Sequence, residues 1–298
     1  MIKPDYLKQG DTIGIVATAR KISENELSAS IIFLKNQGFN ILLGKHLFNR
    51  EHQFAGTDSE RATDFQFMLN HPEIKAILCA RGGYGSVRII DQLNFSNFIQ
   101  KPKWVCGYSD ITVFHSHLHR QFHTATLHST MPINMKEGEF SSETNLSLIK
   151  ALCGKEISYQ LSSHPLNRPG KATGELVGGN LSILYSLLGS SSDINTDGKI
   201  LFIEDLDEYL YHIDRMMMNL KRNGKLKNLS GLIVGGMSEM NDNTVPYGKN
   251  AEEIIAEHCA EYDFPLYFNF PAGHLSQNYA LRLGTLTQLN YTNLIQHP

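Results

Sequence analysis

The first half of the chain alternates short apolar runs with segments whose apolar positions recur every three or four residues. TIGIVATA (12–19), FNILLG (39–44), AILCA (76–80) and KWVCGYS (103–109) are predicted strands. The segments between them carry helix signals. Ser23 with Glu26 forms a capping box for the first helix, which is expected to end at Gly38. Thr57 and Glu60 open the next, with Ala62, Phe65 and Leu69 on one face and Pro72 beyond its end. The fourth strand runs directly into the helix DITVFHSHLH (110–119). Strand, helix, strand, helix in this order predicts a parallel sheet with right-handed crossovers.

From about Lys136 to Gly170 the period fades and Ser, Pro, Asn and Gly accumulate, as in a connection between lobes. The expected division is a first domain over 1–140, a linker over 141–170 and a second domain over 171–298. The second half holds the strands KILFIED (199–205) and LSGLIVGGM (229–237), helices near 179–188, 208–222 and 249–260, and the aromatic stretch FPLYFNFPAGH (264–274). This is α/β again, less regularly alternated.

Composition narrows the function classes. With 27 basic against 30 acidic residues and no long Lys/Arg block, nucleic acid is not an expected partner. Cys79, Cys106, Cys153 and Cys259 contain no CxxC pair, so neither a zinc knuckle nor a disulfide framework is expected. Asp5 and Asp11 interrupt the stretch in which a signal peptide would be apolar, and no apolar run approaches a membrane span. A cytoplasmic protein with reduced thiols is expected.

In an open parallel sheet, ligands bind beyond the carboxyl ends of the strands. The loop after the third strand is RGGYG (81–85), whose glycines can present bare backbone N–H groups. The loop after the fourth, GYSD (107–110), puts Ser109 at a tight strand-to-helix turn beside a helix N-terminus that favours developing negative charge. Such an elbow predicts a positive φ at Ser109. Ser or Asp before a helix is also the commonest N-cap, and the second glycine of a GxSxG elbow is missing. A serine nucleophile needs a base and a group that orients it. Glu204 and Asp205 end the strand ILFIED, and His274 follows FPAG. His115, His117 and His119 raise a metal reading, but there is no HExxH and an amphipathic helix explains the spacing as well. Met216, Met217 and Met218 read as core filling.

Six blocks in order resemble the LD-carboxypeptidase family of serine peptidases, which includes murein tetrapeptide carboxypeptidases and microcin-immunity peptidases. They are GDTIGIVA, ARGGYGSVR (80–88), GYSDITVFH (107–115), TGELVGGNLSIL (173–184), ILFIEDLDEYLYHIDRMM (200–217) and GH (273–274). The resemblance implies Ser109 as nucleophile, Glu204 as the orienting carboxylate and His274 as general base and acid. The backbone N–H groups of Gly83 and Asp110 are then the oxyanion hole, and Arg88, with Tyr84, is the expected substrate contact. It also implies a flavodoxin-like parallel-sheet N-terminal domain, a C-terminal α/β domain with a small β-barrel, and a homodimer. The implied substrate is a cytoplasmic muropeptide ending in D-alanine, hydrolysed without metal or cofactor. Acylated nucleotides, or non-catalytic phosphate binding, are the alternatives. Ala17, Thr18, Ala19, His128, Ser129 and Arg282 depart from the family pattern and bear on the edges of the pocket.

Overall fold

In the first half, the strands TIGIV, IKAILC and WVCG at the centre of the sheet are buried on both faces, and adjacent residues feed two separate cores. The computed structural model describes all 298 residues. Its first part contains β1 (Thr12–Val16), α1 (Glu24–Asn36), β2 (Asn40–Leu43), α2 (Asp58–Asn70), β3 (Ile74–Cys79), α3 (Ser96–Gln100), β4 (Trp104–Gly107), α4 (Thr112–Phe122) and β5 (Thr126–His128). Ile15, Leu78 and Trp104 join the core beneath α1, whereas Val16, Ile77 and Val105 join the core beneath α2 and α4. Burial on both faces is what a parallel sheet flanked by helices requires. The five strands pair in parallel in the order β2-β1-β3-β4-β5, the flavodoxin-like order. Both predicted capping boxes are formed, at Ser23 with Glu26 and at Thr57 with Glu60.

The stretch expected to be a linker is more ordered than its composition suggests. It contains α5 (Glu143–Leu152), capped by Ser142, and the edge strand β6 (Ile157–Gln160). Leu148, Ala151 and Leu152 of α5 enter the first core. The polar residues that hide this helix are its cap and its outer face. Only its last part, 161–170, contains no helix or strand.

The second part contains β7 (Lys171–Asn180), α6 (Leu181–Ser186), β8 (Ile200–Leu206), α7 (Leu210–Arg222), β9 (Gly231–Ser238), α8 (Ala251–His258), β10 (Leu266–Tyr267), β11 (Leu281–Leu283), β12 (Leu286–Asn290) and β13 (Asn293–Gln296). Seven strands form one sheet in the order β10-β9-β8-β7-β12-β13-β6. Strand β7 holds it together by pairing antiparallel with β12 along Lys171–Glu175 and parallel with β8 along Leu176–Asn180. At the second of these regions Gly178 has φ +128°, and a Cβ there would lie 1.9 Å from the Phe202 carbonyl oxygen. The sheet curls into a half-barrel with β10 and β6 at its edges, as expected of a C-terminal α/β domain with a small barrel.

One strand crosses between the halves. β11 pairs antiparallel with β5 of the first sheet, Leu281 opposite His128. The fully buried Arg282 on β11 donates to the carbonyls of Ala151 at 3.1 Å and Lys155 at 2.6 Å, closing the C-terminal end of α5. Arg282 therefore belongs to the joint between the lobes, not to a pocket edge.

Candidate active site

The GYSD turn follows directly from the end of β4. Gly107 has φ +150°, and a side chain there would meet Ile111 at 2.8 Å. Ser109 has φ +62°, the positive angle expected of an elbow and an uncommon one for a serine. Its hydroxyl makes no capping bond to the helix it precedes. His115, fully buried on α4, donates from Nε2 to the Gly107 carbonyl at 2.9 Å and so braces the turn from below.

The glycine loop lies over this serine. A Cβ on Gly82 would sit 3.1 Å from Ser109 Cβ and 3.2 Å from its Oγ, so any larger residue would crowd the serine. Gly83 has φ +113° and is crossed by the side chain of Arg20. The backbone N–H groups of Gly83 and Asp110 donate to no carbonyl of the chain. A buried network holds the loop in place. Asp110 Oδ2 accepts from the Ser86 N–H at 2.8 Å, Ser86 Oγ meets Thr18 Oγ1 at 2.9 Å, and Arg61 Nη1 donates to the carbonyls of Thr18 at 2.6 Å and Gly85 at 3.0 Å. Burial pushes the Asp110 carboxyl up from its ordinary value, and Oδ1 has no partner. Thr18 is thus a loop anchor. Arg61 carries no local sequence signal, because it sits on the apolar face of α2.

The imidazole and its carboxylate come from the other sheet. Glu204 and Asp205, adjacent on β8, point to opposite faces as strand residues must. Glu204 is fully buried, and its Oε2 accepts from His274 Nδ1 at 2.7 Å. Burial pulls the His274 pKa down, but the hydrogen bond and charge of Glu204 outweigh it and the net shift is upward. Gly273, at φ +104°, lets the two meet, since a Cβ there would lie 2.5 Å from Glu204 Oε2. Asp205 turns to the frame instead, accepting from Asn180 Nδ2 at 2.9 Å and the Ser182 N–H at 2.8 Å. Burial, with Glu204 next to it, pushes its carboxyl up to about 7. The His274 ring packs 4.9 Å from the ring of Tyr108, the neighbour of Ser109. Tyr108 also lies 5.9 Å from His128, a buried imidazole with neither nitrogen partnered. Sequence reasoning did not assign Tyr108, and its only signal was its place beside the serine.

A cavity of about 370 Å³ opens beside Tyr108 and is lined on the histidine side by Leu275 and Ser276. Arg88 and Tyr84 do not line it. Arg88, exposed in the short helical turn after the glycine loop, has Nε at 2.9 Å and Nη2 at 2.7 Å from the Asp58 carboxylate, while Tyr84 packs 6.3 Å from Phe54. The helix histidines diverge: His117 turns to Ser192 and His119 to Thr126, away from the His115 contact. No group of three metal-ligating side chains converges anywhere in the chain. Met216 and Met217 are core residues, whereas Met218 is exposed.

An elbow serine, unpaired N–H groups and a carboxylate-backed imidazole at the meeting of two sheets suit acyl transfer. The LD-carboxypeptidase N-terminal domain matches residues 13–129 and the LD-carboxypeptidase C-terminal domain matches 173–289. The "Probable murein peptide carboxypeptidase" of Bacillus subtilis (strain 168) is 37% identical over 295 residues, covering 97% of this chain and 91% of that protein. The muramoyltetrapeptide carboxypeptidase of Oxalobacter formigenes superposes with a TM-score of 0.86 at 25% identity, over 96% of this chain and 99% of that one. MccF in complex with glutamyl sulfamoyl guanosine has the same fold, with a TM-score of 0.89 at 23% identity over 99% of this chain and 98% of that one. The chain belongs to the LD-carboxypeptidase family and is a serine peptidase.

Proposed function

We propose that the enzyme removes the terminal D-alanine of murein tetrapeptides in the cytoplasm, during cell-wall recycling, with Ser109, His274 and Glu204 as its triad. The observation that carries the triad is the 2.7 Å bond from His274 to buried Glu204, with the same ring against Tyr108, next to the strained serine. Glu204 fixes the tautomer, so Nδ1 carries the proton and Nε2 is left to take one from Ser109. Ser109 Oγ attacks the scissile carbonyl while His274 removes its proton. The oxyanion is held by the N–H groups of Gly83 and Asp110, which are otherwise unpaired. His274 returns the proton to the leaving amine, and water, activated by the same ring, hydrolyses the acyl-enzyme.

The murein substrate is supported by the names of the Bacillus and Oxalobacter proteins. An acylated nucleotide would call for an aromatic free to stack on the base. Trp104, the single tryptophan, is fully buried against Tyr6 and is not available for that role. Arg88 is the proposed contact for the terminal carboxylate, through Nη1, the nitrogen not engaged by Asp58. Incubation with murein tripeptide, tetrapeptide and pentapeptide, with products read by mass, tests the assignment. Loss of one alanine from the tetrapeptide alone is expected. An intact tetrapeptide beside a hydrolysed acyl nucleotide overturns it.

A further inference from the structure

The two lobes also touch at the end of β7, beside the chemistry. Asn180 lies opposite Glu204 in the register of β7 with β8, and its backbone N–H donates to Thr112 Oγ1 at 2.9 Å. Thr112 is the first residue of α4, and its own N–H donates to the Ser109 carbonyl. One hydrogen bond therefore runs from the strand pair that carries Glu204 to the turn that carries the serine. The approach is close, since Gly179 takes φ +141° and a Cβ there would lie 2.4 Å from Thr112 Oγ1.

The side chain of Asn180 is held from the other direction. Its Nδ2 donates to Asp205 Oδ1 at 2.9 Å, and its Oδ1 accepts the Ile183 N–H at 3.1 Å, capping α6. Asp205 accepts two further backbone donors, the Leu206 N–H at 2.9 Å and the Ser182 N–H at 2.8 Å. Asp205, Asn180 and Thr112 are all buried. A second buried carboxylate beside Glu204 is unfavourable, and burial and the neighbouring charge both oppose its ionisation. Its three donors offset that penalty and lock Asn180 in one orientation. Strand β11 and Arg282 already join the lobes at β5 and α5, so the Asn180 contact is not needed to keep them together. What it can fix is their offset at the site, with Glu204 and His274 on one side and Ser109 on the other.

We propose that Asn180 is a positioning residue for the reaction. Through Asp205 on one side and Thr112 on the other, it holds the Glu204 and His274 pair in register with the Ser109 elbow. The proposal rests on the triad reading above and adds to it a residue outside the triad.

The test uses Thr112→Val, which removes the acceptor, Thr112→Ser, which keeps it, Asn180→Ala, and the double variant Thr112→Val, Asn180→Ala. Each is assayed with murein tetrapeptide and with a small serine-directed phosphonate, under conditions where its urea curve shows it folded. Thr112→Val and Asn180→Ala should each lower kcat and the rate of Ser109 labelling about ten- to a hundredfold, as small misplacements of reacting groups do, while KM stays within about twofold. Thr112→Ser should stay near the wild-type rate. The double variant should be little worse than either single one, because both break the same tie. Wild-type kcat and labelling in the two single variants, whatever their urea midpoints, overturn the proposal, and so does a double loss equal to the product of the single ones. Hydrogen exchange at the amide of position 180 supplies a readout independent of turnover. If the wild type neither cleaves the peptide nor is labelled at Ser109, the triad reading falls and this amide decides the tie between the lobes. Faster exchange in Thr112→Val, with wild-type exchange in Thr112→Ser, upholds the tie, and unchanged exchange in Thr112→Val removes it as well.

Discussion

A single oxygen of Glu204, Oε2, accepts twice from His274, from ring Nδ1 at 2.7 Å and from the backbone N–H at 3.2 Å. The carboxylate thus fixes both the tautomer of the ring and the loop that carries it. The net rise in the His274 pKa has a definite sign in the rate. A base must be neutral to accept the serine proton, so kcat/KM should fall on the acid side at a pH above the ordinary histidine value of about 6.5. Glu204→Gln removes the charge that stabilises the imidazolium. The acid limb should move to lower pH while the plateau rate drops, and a pH–rate profile whose limb stays in place would contradict the pairing.

Ser109→Ala and His274→Ala should each keep the fold and lower kcat by roughly four to six orders of magnitude, with Glu204→Ala milder. A base without a nucleophile has nothing to activate. The double variant Ser109→Ala, His274→Ala should therefore be little worse than either single one, and a loss equal to the product of the two would refute the assigned roles.

Gly273→Ala tests the loop rather than the triad. The new methyl would be forced against Glu204 at a φ unfavourable to alanine. The expected loss in kcat is about a hundredfold or more, because small displacements of catalytic groups cost that much. Circular dichroism should show the fold retained, and full activity would mean that the Glu204 to His274 contact is not needed.

Burial pushes His115 down to about 4, and His119 and His128 well below the ordinary histidine value. All three are neutral in the folded chain at neutral pH. The unfolded chain takes up protons near pH 6.5, so between that pH and about 4 it binds more protons than the folded one, and stability falls as pH falls. The urea midpoint should decline steadily from pH 7 to pH 4.5, and His115→Gln should flatten the slope. A midpoint independent of pH in this window would show that these histidines are not buried neutral.

Arg88→Ala should raise KM for tetrapeptide roughly ten- to a hundredfold while labelling of Ser109 by a small phosphonate is little altered. Asp58→Ala, which frees the guanidinium, serves as the comparison. Equal loss toward peptide and phosphonate in Arg88→Ala would make Arg88 a support of the glycine loop.

Local signals in the sequence determined a great deal about this protein. Apolar runs, the boxes at Ser23 and Thr57, and the glycines around GYSD define strands, helices and the turn that strains Ser109, because backbone sterics and capping act over a few residues. The distant partners, Glu204 and His274, were reached through a family resemblance, and no local pattern joins them. Their meeting depends on β8 register and on the φ of Gly273, across 70 positions of chain. Tertiary structure alone decided that Asp205 turns to Asn180, that Arg88 is engaged by Asp58, and that β11 returns to the first sheet beside His128. It also turned the expected linker into a packed helix and an edge strand, since α5 gains its apolar contacts only from a core built by residues far away in sequence.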